Sequence, residues 1–192
     1  MLTLLSTVKT RLGLAEIDPT FDSQLTQAIK AVSARFDAEC NRRLARTVGF
    51  EQEFAAPQIC ILARCYPIEE VILFETKRSE AEGWVAEDAP YTLVSRRIIE
   101  LAQPLHRSSR LARVTYTGGF VLPGGSPEPG QALLPDELEF AATEQVVFWF
   151  QNRERLGLGR IWEYHGTFRH FSSLDLLESV QAVLQRHRRY VL

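Results

Sequence analysis

The sequence is poor in features that would assign it to a membrane or to a disulfide-rich class. Its three cysteines, Cys40, Cys60 and Cys65, are too few for a disulfide framework, so we expect reduced and buried thiols. No apolar run approaches the roughly 20 residues of a membrane span. The first residues lack the basic start and the cleavage site of a signal peptide. We therefore expect a soluble protein, made in a cytoplasm, that has no membrane partner.

An excess of one charge sign is missing too. The 22 Lys and Arg residues nearly balance 24 Asp and Glu residues, and the formal net charge of −2 gives no overall attraction to nucleic acid. Only the part of the chain from Arg153 onward is locally basic. Hydrophobic residues make up 45% of the chain, which is enough to build a core.

Recognisable catalytic and metal-binding patterns are also missing. The four histidines stand outside any nucleophile-elbow or similar motif. Cys60 and Cys65 have four residues between them rather than the two that are usual in a zinc half-site, and no second Cys/His pair completes a tetrahedral set. The glycine-rich stretch between Gly118 and Leu134 lacks the Lys-Ser/Thr of a P-loop. We predict that the protein is not an enzyme and has no catalytic residues, no metal and no cofactor.

What the sequence does contain is hydrophobic periodicity of two kinds. Apolar residues recur at helical spacing before Gly13, then from a predicted cap at Asp22 or Ser23 over about six turns, and again after Ser172 or Ser173. A further helix, described below, spans residues 134–157. Between Val48 and Phe120 the pattern changes to six or seven short strands, which we expect to pair as antiparallel hairpins in a meander or barrel-like sheet.

These elements predict an α+β fold that is mainly a bundle of about four helices. A small antiparallel sheet, at about 48–120, is inserted between the second and third helices. We expect a helical connector domain over residues 1–157 and an aromatic, basic segment with a final helix over residues 158–192.

The segment 134–157 carries the clearest helix signals. Pro135 is expected at the first helical position, acidic residues fill the first turn, and Gly157 is expected to end the helix. Three apolar side chains, Phe140, Val147 and Phe148, lie off the main apolar stripe. Such a helix has two surfaces to cover. The second surface is packed within the domain in one interpretation, and is covered by another subunit in the other.

Two further segments are candidates for contact with partners. The Gly- and Pro-rich stretch from Gly118 to Leu134 is long for a structureless loop, and we expect it to be exposed and available to another chain. Residues 158–172 mix aromatic and cationic side chains, among them Trp162, Tyr164 and Phe168. Such residues can stack on bases or anchor a protein interface. The net charge of −2 favours the protein partner.

Taken in order, these elements resemble the head–tail connector (adaptor) proteins of tailed bacteriophages and phage-like particles. No single motif is specific, and the ordered series over the whole chain carries the resemblance. The matching strings lie at residues 62–71, 89–93, 114–120, 134–138 and 184–189.

The resemblance implies a structural role at the head–tail junction of a virion. The implied assembly is a homo-oligomeric, dodecameric ring that sits beneath a portal protein and contacts a stopper or tail-completion protein. Double-stranded DNA would pass through its channel without sequence-specific binding. A stopper or tail-terminator protein and a small nucleic-acid-binding domain are the alternatives. Portal or partner contacts are expected at Trp162, Tyr164, Phe168, Arg186, Arg188, Arg189 and Tyr190, and subunit contacts at Phe140, Val147 and Phe148.

The adaptor interpretation predicts that the protein binds DNA weakly at most. Binding that depends on phosphate contacts falls steeply with salt, so any affinity should be strongly salt-dependent. Fluorescence anisotropy with a short duplex and a short single strand measures it. Tight binding to the single strand that is lost in Trp162→Ala, with protein contacts intact, would favour the nucleic-acid-binding alternative instead.

Overall fold

The computed structural model describes residues 1–105, 111–153 and 175–190, and the backbone alone of residues 160–162 and 168–170. The chain divides into two compact units. The helical unit comprises Met1–Cys40 and Leu134–Arg188, and the β unit comprises Asn41–Leu133 and Arg189–Leu192. The predicted boundary between residues 157 and 158 lies outside the described residues.

The helical unit is organised around one central helix. Its helices are α1 (Leu5–Leu12), α2 (Asp22–Glu39), α3 (Asp136–Gln151) and α4 (Glu178–His187), and α3 contacts each of the other three. None of the helices in the described ranges is long and apolar enough to cross a membrane. The buried apolar residues of this unit include Val8, Leu25, Ile29, Val32, Phe36, Leu138, Ala141, Ala142, Val146, Val180 and Leu184.

The helix ends agree with the sequence only in part. As predicted, α1 ends at Gly13, which adopts a left-handed conformation with φ of 70°. The predicted cap of α2 is wrong, since Phe21 holds that position and no side chain caps the helix. Asp22 instead forms an ion pair of 2.6 Å with Lys9, whose side chain is almost fully buried. The burial of a charged ammonium group explains this choice, because such a group requires a counter-charge.

The strands run from β1 to β11 along the chain. Their bounds are β1 Thr47–Ala55, β2 Cys60–Leu62, β3 Ile68–Lys77, β4 Trp84–Glu87, β5 Tyr91–Val94, β6 Ile98–Leu101, β7 Leu111–Gly118, β8 Phe120–Val121, β9 Ala132–Leu133, β10 Arg160–Trp162 and β11 Phe168–His170.

Most of these strands pair as predicted, in antiparallel fashion, but their order is not that of a meander. One sheet has the order β1-β7-β3-β4 and a second has the order β2-β6-β5. Strands β8 and β9 form a parallel pair, and β10 and β11 form an antiparallel pair. Because β7 lies between β1 and β3, the first sheet joins strands that are distant in sequence.

The predicted fold class, a mainly helical bundle with a small inserted sheet, is wrong. Among the described residues the strands contain as many residues as the four helices. Strand β3 has ten residues, although its sequence is continuously apolar only at residues 71–74, and β4 follows it at Trp84–Glu87. The polar residues of β3 obscured its length. Glu75, for example, forms an ion pair of 2.6 Å with Arg113 across the sheet.

A buried tyrosine hydroxyl ties the β unit together. Tyr116 on β7 is fully buried, and its hydroxyl accepts N–H bonds of 3.0 Å from Arg64 and Cys65 while it donates to Gln52 at 2.9 Å. Burial raises the pKa of Tyr116 to about 12. Gly118 lies next to the same connection, and a Cβ there would approach the Cys65 carbonyl oxygen to 2.6 Å. This close approach requires glycine.

The cysteines are free thiols, as predicted. Cys40 and Cys65 are buried, and burial raises the pKa of the Cys65 thiol. Cys60 is exposed, so the expectation of buried thiols is wrong at this position. It stands at the start of β2, where its side chain points away from the core side on which Ile61 is buried.

Tyr116→Phe tests the role of the hydroxyl. It keeps the ring in the core but removes a partner of the buried Cys65 amide, so the free energy of unfolding should fall by about 2 kcal/mol. Urea denaturation measures this change. The matched control is Tyr91→Phe on β5, where the tyrosine is exposed and the change should stay within about 0.5 kcal/mol. Equal, small effects of the two substitutions would show that the hydrogen bonds of Tyr116 do not stabilise the unit.

Candidate functional site

The three off-stripe residues of α3 have different surroundings. Val147 is 8% exposed and is buried within the helical unit, whereas Phe148 is half-buried. Phe140, in contrast, is 62% exposed. The helical unit therefore covers most of the surplus apolar surface of α3 itself, and Phe140 is the member of this trio that leaves most of its ring available.

Phe140 lines a groove between α1 and α3. The groove is open to solvent and has a volume of about 650 Å³. Its walls are formed by the polar side of α1 and by the first three turns of α3. The lining residues are Ser6, Thr7, Thr10, Arg11, Asp136, Glu139, Phe140, Thr143 and Glu144.

Polar contacts hold the two walls of the groove together. Arg11 on α1 donates to Glu144 on α3 at 2.6 Å, and this hydrogen bond is the main reason that the pKa of Arg11 is raised. Deeper in the unit, the Thr143 hydroxyl lies 2.8 Å from the Thr3 hydroxyl and donates to the Glu139 carbonyl oxygen at 2.9 Å. The groove is therefore a formed feature of the helical unit.

The groove is acidic at one end. Burial raises the pKa of Glu139, and the nearby charge of Asp136 raises it further. Among the described residues neither carboxylate forms an ion pair. A group that combines an apolar surface with a positive charge would cover Phe140 and neutralise these carboxylates. Such a combination is common in protein interfaces, where aromatic residues and arginine are enriched.

The described residues hold no arrangement that indicates metal binding. No group of three or more His, Cys, Asp or Glu side chains that could hold a metal ion occurs among them.

Two of the predicted partner-contact residues already have partners within the chain. Arg186 forms an ion pair of 3.1 Å with Glu137 on α3. Glu137 also binds His187 at 2.6 Å, and this hydrogen bond, together with the charge of Arg186, lowers the pKa of Glu137. Arg189 donates twice to the Leu62 carbonyl oxygen, at 3.0 and 3.3 Å.

The remaining predicted contacts are exposed or only partly described. Arg188 is exposed, and Tyr190 is 60% exposed. Trp162 and Phe168 are opposite each other in the β10–β11 pair, and Tyr164 lies outside the described residues. The structure describes this set only in part, and the partner contacts stay a prediction.

Two features of the site were not predicted from the sequence. The groove needs Arg11 and Glu144, which are 133 residues apart in the chain, and neither belongs to a motif. Gln145 on α3 is fully buried, and its side chain accepts the Leu177 N–H at 2.9 Å. It thereby fixes the residue that precedes α4. Gln145 follows Thr143 and Glu144 directly, so no local sequence signal separates it from a solvated polar residue.

The exposed loop predicted from Gly118 to Leu134 is confirmed only in its middle. Residues 124–130 are exposed, whereas residues 118–121 and Leu134 are buried, and β8 and β9 pair at the two ends of the loop. Arg96 donates to the Gly130 carbonyl oxygen at 2.8 Å and so holds one end of this segment.

Nearly the whole chain shares its fold with chains of gene transfer agent (GTA) particles. It is similar to a chain from the neck of an empty GTA particle computed with C6 symmetry, with a TM-score of 0.62 at 16% identity, over 99% of this chain and 91% of that chain. For a chain from the virion of a native GTA particle the TM-score is 0.63 at 17% identity, and the match covers 97% of this chain and 88% of that chain. For a chain from the neck of a native GTA particle computed with C12 symmetry the TM-score is 0.55 at 16% identity, and the match covers 99% of this chain and 95% of that chain.

No protein-family model matches the chain, and a sequence search of curated proteins finds no match. At these identities the similarity establishes the fold. The resemblance expected from the sequence is confirmed at this coarser level, because the fold is shared with structural chains of a phage-like particle.

The different burial of Phe140 and Val147 predicts different changes in the free energy of unfolding when each is replaced. Phe140→Ser should change the free energy of unfolding by less than about 0.5 kcal/mol, because the ring is mostly in water already. Val147→Ser should lower it by about 2 kcal/mol, because it places a hydroxyl in the packed interior. Urea denaturation of both variants measures the difference. A comparable loss in Phe140→Ser would show that this ring serves the fold rather than the surface.

Proposed function

We propose that the protein is a structural head–tail adaptor that forms a ring in the neck of a phage or phage-like particle. The observation that carries this proposal is the fold shared with neck and virion chains of GTA particles over almost the full length of both partners. A fold alone does not determine function. Here, however, the ordered series of sequence elements independently resembles adaptor proteins.

The groove supports a role in assembly. A ring of identical subunits closes through a heterologous interface, in which one surface of each subunit contacts a different surface of the next. The groove between α1 and α3 suits one half of such an interface, because it combines a mostly exposed aromatic ring with two unpaired carboxylates. We assign Phe140 to this contact and retain Phe148, which is half-buried, as a secondary contributor.

The partners that we propose are those of an adaptor. The ring would contact a portal protein on one side and a stopper or tail-completion protein on the other, in the virion at the head–tail junction. Arg188 and Tyr190, both exposed at the end of the described chain, are the C-terminal residues free to reach such a partner. A ring around a DNA channel needs no sequence-specific contact with the duplex, which agrees with the nearly neutral charge of the chain.

Phe140→Asp tests the assignment of the groove. A carboxylate in place of the ring adds a third negative charge beside Asp136 and Glu139, so a neighbouring subunit would have to desolvate three like charges. We expect incorporation into particles to fall by about tenfold or more, while the isolated protein stays folded. Co-sedimentation of the protein with its portal protein in a density gradient measures incorporation, and circular dichroism checks the fold.

The matched control is Ile17→Asp. Ile17 belongs to the same unit and is 94% exposed, but it does not line the groove. This variant should incorporate like the wild-type protein. Wild-type incorporation of Phe140→Asp would contradict the role of the groove, and equal loss in both variants would show that the effect is not specific to it.

A further inference from the structure

A compact group of arginines lies at one end of the three-stranded sheet of the β unit. Leu62, Ile98 and Val94 form the last row of paired residues at that end, because Leu62 pairs with Ile98 and Ile98 pairs with Val94. Arg97 lies in the turn between β5 and β6, and Arg64 follows β2 by two residues. Both arginines therefore emerge at the same end of the sheet.

Arg189 joins this group from the other end of the sequence. Its guanidinium donates twice to the Leu62 carbonyl oxygen, and its own carbonyl oxygen accepts the Asn41 side-chain amide at 3.4 Å. These bonds hold Arg189 beside β2, although Leu62 and Arg189 are 127 positions apart in the chain. We call Arg64, Arg97 and Arg189 the arginine cluster.

The contacts that position each arginine of the cluster are made to neutral groups, so they supply no negative charge to balance the guanidinium. The Arg97 N–H donates to the Val94 carbonyl oxygen at 3.0 Å, and the Arg97 guanidinium lies 5.0 Å from the centre of the Tyr66 ring. Its Nε is buried without a hydrogen-bond partner. The Arg64 N–H binds Tyr116 and Gln52, so this residue is fixed through its backbone while its side chain remains exposed.

No carboxylate of the described residues lies within ion-pairing distance of the arginine cluster. Two other arginines of the β unit do have such partners, since Arg46 binds Glu69 and Arg113 binds both Glu51 and Glu75. Arg43 and Arg96 resemble the cluster in forming no ion pair among the described residues. Burial lowers the pKa of Arg189, and the nearby charges of Arg64 and Arg97 lower it further. Like charges held together are unfavourable, and a bound anion would relieve this repulsion.

The surroundings of the cluster favour a protein ligand over nucleic acid. Tyr190 directly follows Arg189 and is 60% exposed, and Val94 at the end of β5 is exposed as well. Tyrosine and arginine are the residue types that most often anchor protein interfaces. A DNA site, by contrast, spreads its cations along successive phosphates and is aided by overall positive charge, whereas this chain carries a net charge of −2.

We propose that Arg64, Arg97 and Arg189 form a binding site for adjacent carboxylates of an acidic segment of another protein. The planar guanidinium groups suit carboxylates, to which they can donate two parallel hydrogen bonds each. Tyr190 and Val94 supply apolar contact beside the charges. This site lies in the β unit and does not depend on the proposed ring, so its test uses the isolated full-length chain.

The test is a titration of the isotope-labelled protein with hexaglutamate in about 50 mM salt, a concentration at which screening is modest. The arginine Nε–H signals in nuclear magnetic resonance spectra report binding. We expect these signals to shift and saturate, and we expect Arg64→Ala to weaken binding by about tenfold, the equivalent of one charge-assisted contact. Arg64→Ala should retain the wild-type melting temperature, because the bonds that fix Arg64 are made by its backbone.

Arg78→Ala is the matched control, since it removes one charge from an exposed arginine in the turn between β3 and β4. It should bind hexaglutamate within about twofold of the wild-type affinity. Wild-type affinity in Arg64→Ala, or equal weakening in Arg78→Ala, would overturn the site. A 12-base-pair duplex that binds more tightly than hexaglutamate, and that Arg64→Ala releases, would overturn the assignment to a protein carboxylate. A lower melting temperature of Arg64→Ala would assign the residue to the fold instead.

Discussion

The helical unit depends on covering α3. A helix that is apolar on most of its circumference must be packed on most sides, because exposed apolar surface costs about 25 cal/mol per Å². Helices α1, α2 and α4 all contact α3, and even Val147, which lies off the main stripe, is buried among them. What remains is Phe140, which is exposed in a groove lined by three acidic residues, two of them without an ion-pair partner among the described residues. Val147 therefore belongs to the core of the helical unit, and Phe140 remains the candidate for a subunit interface.

The β unit depends on a different constraint, the satisfaction of buried polar groups around Tyr116. Its hydroxyl, the Gln52 side chain and the backbone that follows β2 form one hydrogen-bonded set. This set fixes the chain at Arg64. The same connection carries the Leu62 carbonyl oxygen that receives Arg189. The polar network that satisfies the interior therefore also positions the backbone of Arg64 and the carbonyl oxygen that binds Arg189.

How much could be predicted from the sequence depended on the range of the interactions. Helical spacing from Leu25 to Phe36 identified α2, and the acidic first turn located the start of α3 to within two residues, because these signals are local. The order β1-β7-β3-β4 depends on pairing between distant strands, which no local pattern specifies. The role of Arg189 was equally inaccessible, because its acceptor at Leu62 is set by the tertiary structure. For the same reason helical periodicity could not distinguish Phe140, Val147 and Phe148 as interface candidates. In the structure Val147 is buried, Phe148 is half-buried and Phe140 is exposed.

We propose that this chain forms a ring in the neck of a particle, and electron cryo-microscopy of a particle assembled with this protein tests the proposal. The reconstruction must be resolved well enough to identify α3 and the end of α4. We expect symmetry-related copies of the protein between the portal and the tail, with Phe140 of each copy covered by the neighbouring copy. Density for the protein elsewhere in the particle, or Phe140 open to solvent in a closed ring, would contradict it.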